Sequence, residues 1–361
     1  MSLKSILDSL EAYDGLEFDS TLLDSISQYN QQTLTKNIQF YLPTFKHFES
    51  DELSCSGSNE WPSISITGSE CKLQCDHCKA KILEPMLAVT NPSELWPQVN
   101  RLIEQGAKGL LLSGGSNHRN EVEYGPYLSQ IERIKHSFPE FQIAVHTALV
   151  NDESARDLEQ AGVDVAMLDI IGAQETITKV YHLKRHVDDF EASLESLVKT
   201  QMRVVPHIVM GLHYGELLGE SNALHIIERH AIDALVLVAI MPQYTSAKRP
   251  FKTPDPSEVG NFLLEARKCL PHIPVLLGCA RPPGQAKTLI DAYAVMAGLD
   301  GIAHPAEGSV TLADALGRPH GISRSCCSIS TTKNILSVTQ TAASRRPLTA
   351  NMPVELPVQW I

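Results

Sequence analysis

The stretch ISITGSECKLQCDHC, residues 64–78, brings together three of the eight cysteines in this 361-residue chain. The short apolar run at its start predicts a strand over Ser63–Thr67. Cys71, Cys75 and Cys78 then follow at the spacing Cys-x3-Cys-x2-Cys. Three cysteines clustered in a loop directly after a strand indicate metal or redox chemistry more than disulfide bonds.

The same strand pattern recurs along the chain and alternates with amphipathic helical patterns. The predicted strands are Ser63–Thr67, Leu110–Leu112, Ile143–Thr147, Val165–Asp169, Arg203–Val209, Leu235–Ile240, Val275–Leu277 and Gly301–Ala303. The predicted helices are Ser93–Gln105, Ser154–Gln160, Asp188–Thr200, Leu224–Arg229, Pro256–Cys269 and Gln285–Met296. About eight strand–helix repeats predict an α/β fold with a parallel sheet closed into a (β/α)8 barrel. A doubly wound open sheet is the alternative, but no GxGxxG follows the first strand.

The regions that flank the barrel carry weaker patterns. Residues 1–36 predict two amphipathic helices, and the segment around Phe40 predicts an extended lead into the barrel. After Pro305 the strand–helix alternation fades. We therefore divide the chain into an N-terminal helical extension (1–60), the barrel (61–306) and a C-terminal segment (307–361).

Composition and charge exclude several classes of protein. With 43% hydrophobic and 20% charged residues, the chain is expected to fold rather than to stay disordered. The net charge of −12, without a Lys/Arg stripe, argues against nucleic-acid binding. No apolar run approaches the ~18 residues of a membrane-spanning helix, and the first residues do not read as a signal peptide. We therefore expect a cytoplasmic protein with reduced thiols.

Polar, ionisable or turn-forming residues recur where the predicted strands end. They are Thr67, Ser113, Gly114, Gly115, His146, Thr147, Asp169, His207, Pro242, Cys279, Ala280, Arg281 and His304. In barrels of this kind, the C-terminal ends of the strands carry the active site. We therefore expect these residues to face one common site together with the three clustered cysteines.

The cysteine spacing suits a cubane iron–sulfur cluster. Three thiolates can each bind one iron of a [4Fe–4S] cluster and leave the fourth iron without a protein ligand. The alternatives are a structural zinc ion or ordinary reduced cysteines. Zinc would need a fourth Cys or His at its own spacing, and His77 is too constrained by its neighbours to serve easily.

Several stretches of the chain resemble the radical S-adenosylmethionine (SAM) superfamily, whose signature is this cysteine spacing after the first barrel strand. Within it, the chain is similar to the biotin-synthase-related group, which includes the two-component lipoyl synthases of archaea and some bacteria. The stretches are TGSECKLQCDHCKAKILEPM (67–86), LLSGGSNHRN (111–120), VDVAMLDIIG (163–172), VPHIVMGLHYGE (205–216), LLGCARPPG (276–284) and SCCS (325–328). They span most of the chain.

The resemblance implies roles for residues around the cluster. Cys71, Cys75 and Cys78 would bind a [4Fe–4S] cluster that cleaves SAM. His77 stands where the superfamily often has an aromatic residue against adenine. The turn Gly114-Gly115-Ser116 stands where a GGE-like turn binds the SAM ammonium group, with serine in place of the acid. The candidates for SAM ribose or substrate contacts, or else for ordinary barrel positions, are His146, Asp169, His207 and His304.

The resemblance further implies sulfur insertion into an octanoyl chain during lipoyl cofactor biosynthesis. A 5′-deoxyadenosyl radical would abstract hydrogen, and a sacrificial auxiliary [4Fe–4S] cluster would supply the sulfur. The expected ligands are Cys279, Cys326 and Cys327, with Cys55 or Ser325 as the fourth, and the adjacent pair would fold over the barrel mouth. The alternative is that these are ordinary buried thiols, as we expect for Cys269.

Other parts of the expected site follow from the same resemblance. Arg281 either binds a carboxylate, ligates a cluster as an arginine does in biotin synthase, or forms a surface ion pair. The implied partners are SAM, an octanoylated carrier protein or peptide, an electron donor such as ferredoxin or flavodoxin, and a companion radical SAM synthase. Two alternatives stay open: another radical SAM enzyme of cofactor biosynthesis (biotin-synthase-like, methylating or skeleton-rearranging), and a non-catalytic metal-binding module.

Overall fold

The computed structural model describes residues 2–30, 37–43, 50–53, 60–245 and 250–329 of the chain. Its strands are β1 (Ile38–Tyr41), β2 (Ser63–Ser65), β3 (Leu87–Ala88), β4 (Gly109–Ser113), β5 (Gln142–His146), β6 (Val165–Asp169), β7 (Arg203–Met210), β8 (Leu235–Ala239), β9 (Val275–Leu277), β10 (Gly301–Ala303) and β11 (His320–Ser323). Its α-helices are α1 (Leu3–Leu7), α2 (Ser20–Asn30), α3 (Leu95–Glu104), α4 (Leu128–Ser137), α5 (Asp152–Gln160), α6 (Gln174–Lys179), α7 (Val187–Val198), α8 (Glu220–Ile227), α9 (Pro256–Cys269), α10 (Gln285–Met296) and α11 (Ser309–Ala315). All the predicted strands and helices are present, with ends that differ by a few residues.

All the strands belong to one parallel sheet in the order β11-β1-β10-β9-β8-β7-β6-β5-β4-β2-β3. The eight predicted strands are consecutive neighbours from β10 to β2, and the sheet curls into the TIM-like α/β fold expected from the sequence. The structure differs from the predicted closed ring in one respect. β1 pairs with the edge of β10 that closure onto β2 would use, and β11 pairs with β1. In the described part of the chain, the barrel therefore stays partly open.

The inside of the barrel is filled by one apolar cluster. Its buried members are Tyr41, Trp61, Ala144, Val165, Met167, Val205, Ala234, Val236, Leu276, Ala303, Cys327 and Ile329. The carbonyl oxygen of Ile329 accepts a hydrogen bond of 2.5 Å from Arg203, which begins β7 and also donates to Gln142 at the start of β5. The segment after β11 therefore reaches the N-terminal end of the barrel. The expectation that Cys326 and Cys327 fold over the mouth is not met.

The two N-terminal helices pack on the outside of the barrel. α2 contacts α9, and α1 contacts α11. The side-chain amide of Asn30 donates a hydrogen bond of 2.8 Å to the carbonyl of Met296, and the Asp19 amide donates one of 2.8 Å to the Tyr293 hydroxyl. None of the described helices is long and apolar enough to cross a membrane.

Gly109, the first residue of β4, lies against the indole of Trp61 inside the barrel. A Cβ atom at this position would stand 2.2 Å from ring carbons of Trp61 and 2.6 Å from the carbonyl oxygen of Gln142. One of these neighbours is main chain and the other is a rigid buried ring, so neither can move cheaply. Only glycine lets the indole fill the space between β4 and β5.

We expect Gly109→Ala to lower the free energy of unfolding by about 1–3 kcal/mol, because a methyl group would overpack this contact. Urea denaturation of the metal-free protein, followed by circular dichroism, measures the effect. Gly125→Ala is the matched control, since a Cβ atom there has no neighbour within 4 Å. Equal stabilities of the two variants would contradict the role given to Gly109.

Candidate functional site

The three clustered cysteines lie in a tightly turned loop after β2. The Lys79 amide donates a hydrogen bond of 3.0 Å to the Cys75 carbonyl. Three non-glycine residues of the loop adopt left-handed backbone conformations. Their φ values are 50° at Gln74, 46° at Lys79 and 62° at Ala80. Such conformations cost on the order of 1–3 kcal/mol each and persist only where surrounding contacts hold them. The loop is therefore held in place by its environment.

The glycine turn after β4 is part of that environment. The amide of Gly115 donates a hydrogen bond of 2.7 Å to Oγ1 of Thr67. The carbonyl oxygen of Ser116 accepts one of 2.9 Å from the Lys72 amide and lies 3.7 Å from Sγ of Cys71. A Cβ atom on Gly115 would stand 2.0 Å from the Glu70 carbonyl oxygen. The predicted turn thus packs directly against the cysteine loop, through its main chain.

The three thiols are close enough to influence one another. Burial raises the pKa of the Cys75 thiol well above its ordinary value, and the charges of Cys78 and Cys71 add to the effect. Burial also opposes ionisation of Cys78, but the charge and hydrogen bond of His77 outweigh it and lower the pKa of that thiol. None of the three forms a disulfide. The loop therefore offers three converging sulfur ligands.

The three sulfurs do not form the compact ligand set that a single zinc ion needs. Tetrahedral zinc at Zn–S distances of about 2.3 Å would bring its sulfur ligands within roughly 4 Å of one another. As a set, the three sulfurs do not lie within 4.8 Å of one another, and His77 does not complete a compact set with them. In the described part of the chain, the one such group of three is Glu191, Glu195 and His230.

Asp76 ties the cysteine loop to the connection between α6 and α7. Its buried carboxylate lies 2.7 Å from Nζ of Lys79 and 3.2 Å from Nε2 of His182. Its amide donates a hydrogen bond of 2.9 Å to the Val180 carbonyl. Burial works against the ionised carboxylate, but hydrogen bonds from Lys79 and His182 outweigh it and lower the pKa of Asp76. The left-handed Lys79 is thereby fixed by an ion pair.

His77, the next residue, contacts the connection between α6 and α7. Its ring stacks obliquely on that of Tyr181, with centroids 4.8 Å apart and an angle of 36°. Burial works to lower the pKa of His77, but the charge of Cys78 prevails and raises it. Among the described residues, Nδ1 of His77 and the Tyr181 hydroxyl have no hydrogen-bond partner.

Asp169, His146 and His207 come together at the ends of β6, β5 and β7. Nε2 of His146 lies 3.6 Å from Oδ1 of Asp169, and the two imidazole rings have centroids 5.6 Å apart. Burial lowers the pKa of His207 to about 4, so this ring is neutral. Burial also works to lower the pKa of His146, but the charge of Asp169 outweighs it and raises that pKa. The mouth therefore holds a His146–Asp169 pair beside a neutral imidazole.

Arg281 occupies a different place from the one expected. Its guanidinium forms a buried ion pair of 2.6 Å with Asp291 of α10, and both side chains are 0% exposed. It also donates to the carbonyls of Ala303 and His304 at 2.7 and 2.9 Å. The ion pair is buried rather than on the surface, and the guanidinium is occupied by protein oxygens. Arg281 therefore fastens α10 to the strand ends instead of facing a ligand.

The later cysteines meet inside the barrel. Cys279 and Cys326 are half-buried against the interior cluster, and Cys327 is buried within it. A hydrogen bond from Cys327 lowers the pKa of Cys326. The same hydrogen bond and burial raise the pKa of Cys327, and the charges of Cys326 and Cys279 add to the effect. Ser325 is next to them, with Oγ 2.8 Å from Oγ of Ser323. Cys55 lies outside the described residues.

Cys269 and His304 complete the set of predicted residues. Cys269 is half-buried at the end of α9, on the outer layer where a structural role was expected. His304 is buried, and its amide donates to the Tyr41 carbonyl at 2.8 Å. It therefore belongs to the junction of β10 and β1.

Sequence reasoning missed several residues that shape the site. They are Asp76, Tyr124, Tyr181 and His182. The Tyr124 hydroxyl lies 3.0 Å from the Leu112 carbonyl and 2.9 Å from that of His146, so it joins two strand ends. No periodicity marks such a residue. Only the position of Asp76 inside the cysteine motif gave a signal.

Comparison with known proteins identifies the fold. No protein-family model matches the chain, and no curated protein matches it in sequence. The structure is similar to that of methylornithine synthase (PylB), with a TM-score of 0.54 and 11% identity over 88% of this chain and 96% of that one. It is also similar to HydG, a maturase of the [FeFe]-hydrogenase, with a TM-score of 0.55 and 13% identity over 83% of this chain and 67% of that one. HydG from Carboxydothermus hydrogenoformans gives a TM-score of 0.54 and 15% identity over 80% of this chain and 64% of that one. At these identities the likeness shows the fold, which is the TIM-like barrel predicted from the sequence.

We expect Gly115→Ala to weaken iron binding by the cysteine loop about tenfold or more, as loss of support behind metal ligands typically does. The added methyl group would push Glu70 and Cys71 outward. Iron retained per chain after anaerobic reconstitution and desalting measures the effect. Gly125→Ala should retain as much iron as the wild type. The same iron content in Gly115→Ala would contradict the supporting role given to Gly115.

Proposed function

We propose that this protein is a radical SAM enzyme. The observation that carries the proposal is the convergence of Cys71, Cys75 and Cys78 in the loop after β2 of a TIM-like barrel. When bound there, a [4Fe–4S] cluster with one open iron supplies the electron that cleaves SAM to a 5′-deoxyadenosyl radical. The likeness to PylB and HydG in fold supports this reading.

The residues around the loop have distinct tasks in this proposal. The main chain of Gly115 and Ser116 supports the cysteine loop and leaves room for a ligand at close range. His77 lies beside the cysteines and is suited to contact the SAM adenine. Asp169 and His146 provide a carboxylate and an imidazole for contacts with the ribose or with a polar substrate group. Tyr124 and the β-strand ends fix these groups in advance.

We further propose that the enzyme inserts sulfur into an octanoyl chain in the synthesis of the lipoyl cofactor. The support is the meeting of Cys279, Cys326 and Cys327 inside the barrel, where an auxiliary [4Fe–4S] cluster can be held. Cys55 or Ser325 is the proposed fourth ligand. A sulfur source bound in the barrel would solve the problem of proximity to the substrate carbon.

The proposed partners follow from this chemistry. They are SAM, an octanoylated carrier protein or peptide, an electron donor such as ferredoxin or flavodoxin, and a companion radical SAM synthase. We propose that the reaction takes place in the cytoplasm, where the free thiols of the described chain are stable.

We expect Cys75→Ala to abolish reductive cleavage of SAM, because the loop would keep two of its three sulfur ligands. The assay measures 5′-deoxyadenosine formed by anaerobically reconstituted protein with SAM and dithionite. Cys269→Ala is the control and should keep wild-type activity, since this thiol lies in the outer layer. Continued 5′-deoxyadenosine production by Cys75→Ala would refute the radical SAM assignment.

We expect the double variant Cys279→Ala/Cys326→Ala to retain SAM cleavage but to lose about four irons per chain, the content of one cubane. Sulfurated product from an octanoyl-lysine peptide should disappear at the same time. Iron and sulfide analysis together with mass spectrometry of the peptide provides both readouts. A double variant with the iron content of the wild type would show that these thiols are structural and remove the support for sulfur insertion.

A further inference from the structure

The hydroxyl of Tyr181 is buried beside the cysteine loop. The residue is 4% exposed. Among the residues that the structure describes, no polar atom lies within hydrogen-bond distance of its oxygen. Leaving a hydroxyl buried and unpaired costs free energy, and groups of this kind in folded proteins usually have a partner such as a bound ligand or ion. The position of Tyr181 therefore points to a bound group next to the cysteine loop.

Three consecutive residues fix Tyr181 against the cysteine motif. The carbonyl of Val180 accepts a hydrogen bond of 2.9 Å from the Asp76 amide, and Nε2 of His182 lies 3.2 Å from the Asp76 carboxylate. The Tyr181 ring itself stacks on His77, with centroids 4.8 Å apart. Asp76 and His77 are the two residues between Cys75 and Cys78. The phenol is therefore positioned by the same loop that carries the sulfur ligands.

The surroundings of Tyr181 favour a role for its hydroxyl as a hydrogen-bond donor. Burial, and then the negative charges of Asp169, Cys75 and Cys78, raise the pKa of its hydroxyl well above the ordinary value. The group therefore stays protonated next to anions. Asp169 is already paired with His146 at 3.6 Å and has no hydrogen bond to Tyr181. Neither Cys75 nor Cys78 is a hydrogen-bond partner of the hydroxyl. The acceptor is therefore a group that the cysteine loop would bind.

We propose that Tyr181 donates a hydrogen bond to a sulfide of the [4Fe–4S] cluster that the cysteine loop would hold, and so tunes the reduction potential of the cluster. The inference rests on the radical SAM function proposed above. Hydrogen bonds to the sulfurs are one of the ways in which proteins set the potential of iron–sulfur clusters. A donor stabilises the reduced cluster more than the oxidised one, because the reduced cluster carries one more negative charge. Tyr181 therefore raises the potential.

The test is a redox titration of the reconstituted full-length protein without SAM, followed by electron paramagnetic resonance. Tyr181→Phe removes the hydroxyl and keeps the ring. We expect the equilibrium constant for one-electron reduction to fall about tenfold, which corresponds to 59 mV. Tyr214→Phe is the matched control. Its hydroxyl donates to the Lys179 carbonyl at 3.1 Å, so its loss loosens the same segment without removing a donor from the cluster.

A second measurement uses the wild-type protein and does not depend on the folding of a variant. Electron–nuclear double resonance of the reduced cluster, before and after exchange into D2O, should detect an exchangeable proton from the hydroxyl, which Tyr181→Phe lacks. Absence of such a proton in the wild type overturns the proposal. So does an unchanged potential in Tyr181→Phe, an equal shift in both variants, or a change confined to SAM affinity. Failure of the wild type to bind a four-iron cluster would instead refute the proposed function itself.

Discussion

Parallel pairing from β2 to β10 is the constraint on which the candidate site depends. Because all these strands run in one direction, the residues that follow them meet at the same end of the barrel. The register Ser65↔Ser113 between β2 and β4 places Thr67 opposite Gly115, and a hydrogen bond of 2.7 Å joins the two. That short connection sets the distance between the glycine turn and the cysteine loop. A shift of one residue in this register would separate them.

Much of the barrel could be predicted from the sequence because its strands are local apolar runs. Val165–Asp169, Val275–Leu277 and Gly301–Ala303 have the bounds that the pattern predicts. The strands β1 and β11 were not recognised, since each is short and pairs with a segment far away along the chain. Local patterns carry no information about such pairing. The same limit explains why the sequence predicts a closed ring whereas the described barrel stays partly open.

Those parts of the candidate site that depend on the spacing of residues along the chain could be predicted from the sequence. The cysteine motif and the glycine turn are each a short continuous stretch of sequence. Each directly follows a predicted strand, so their proximity could be inferred from the two strand ends. The partner of Arg281 could not be foreseen, because the choice between a ligand and the carboxylate of Asp291 depends on how α10 packs. A buried arginine without its carboxylate would be strongly destabilising. Polar residues at a barrel mouth thus divide into those that face the site and those that hold its walls.

The segment after β11 has a consequence for how the chain reaches its native state. Cys327 and Ile329 complete the interior of a barrel whose first strand, β1, pairs with both β10 and β11. These contacts join the beginning of the described chain to its end. They form only after almost the whole barrel has left the ribosome, and contacts of such long sequence separation slow folding. Until then the apolar inner faces of the strands remain exposed, and such surfaces make an incomplete chain prone to aggregation.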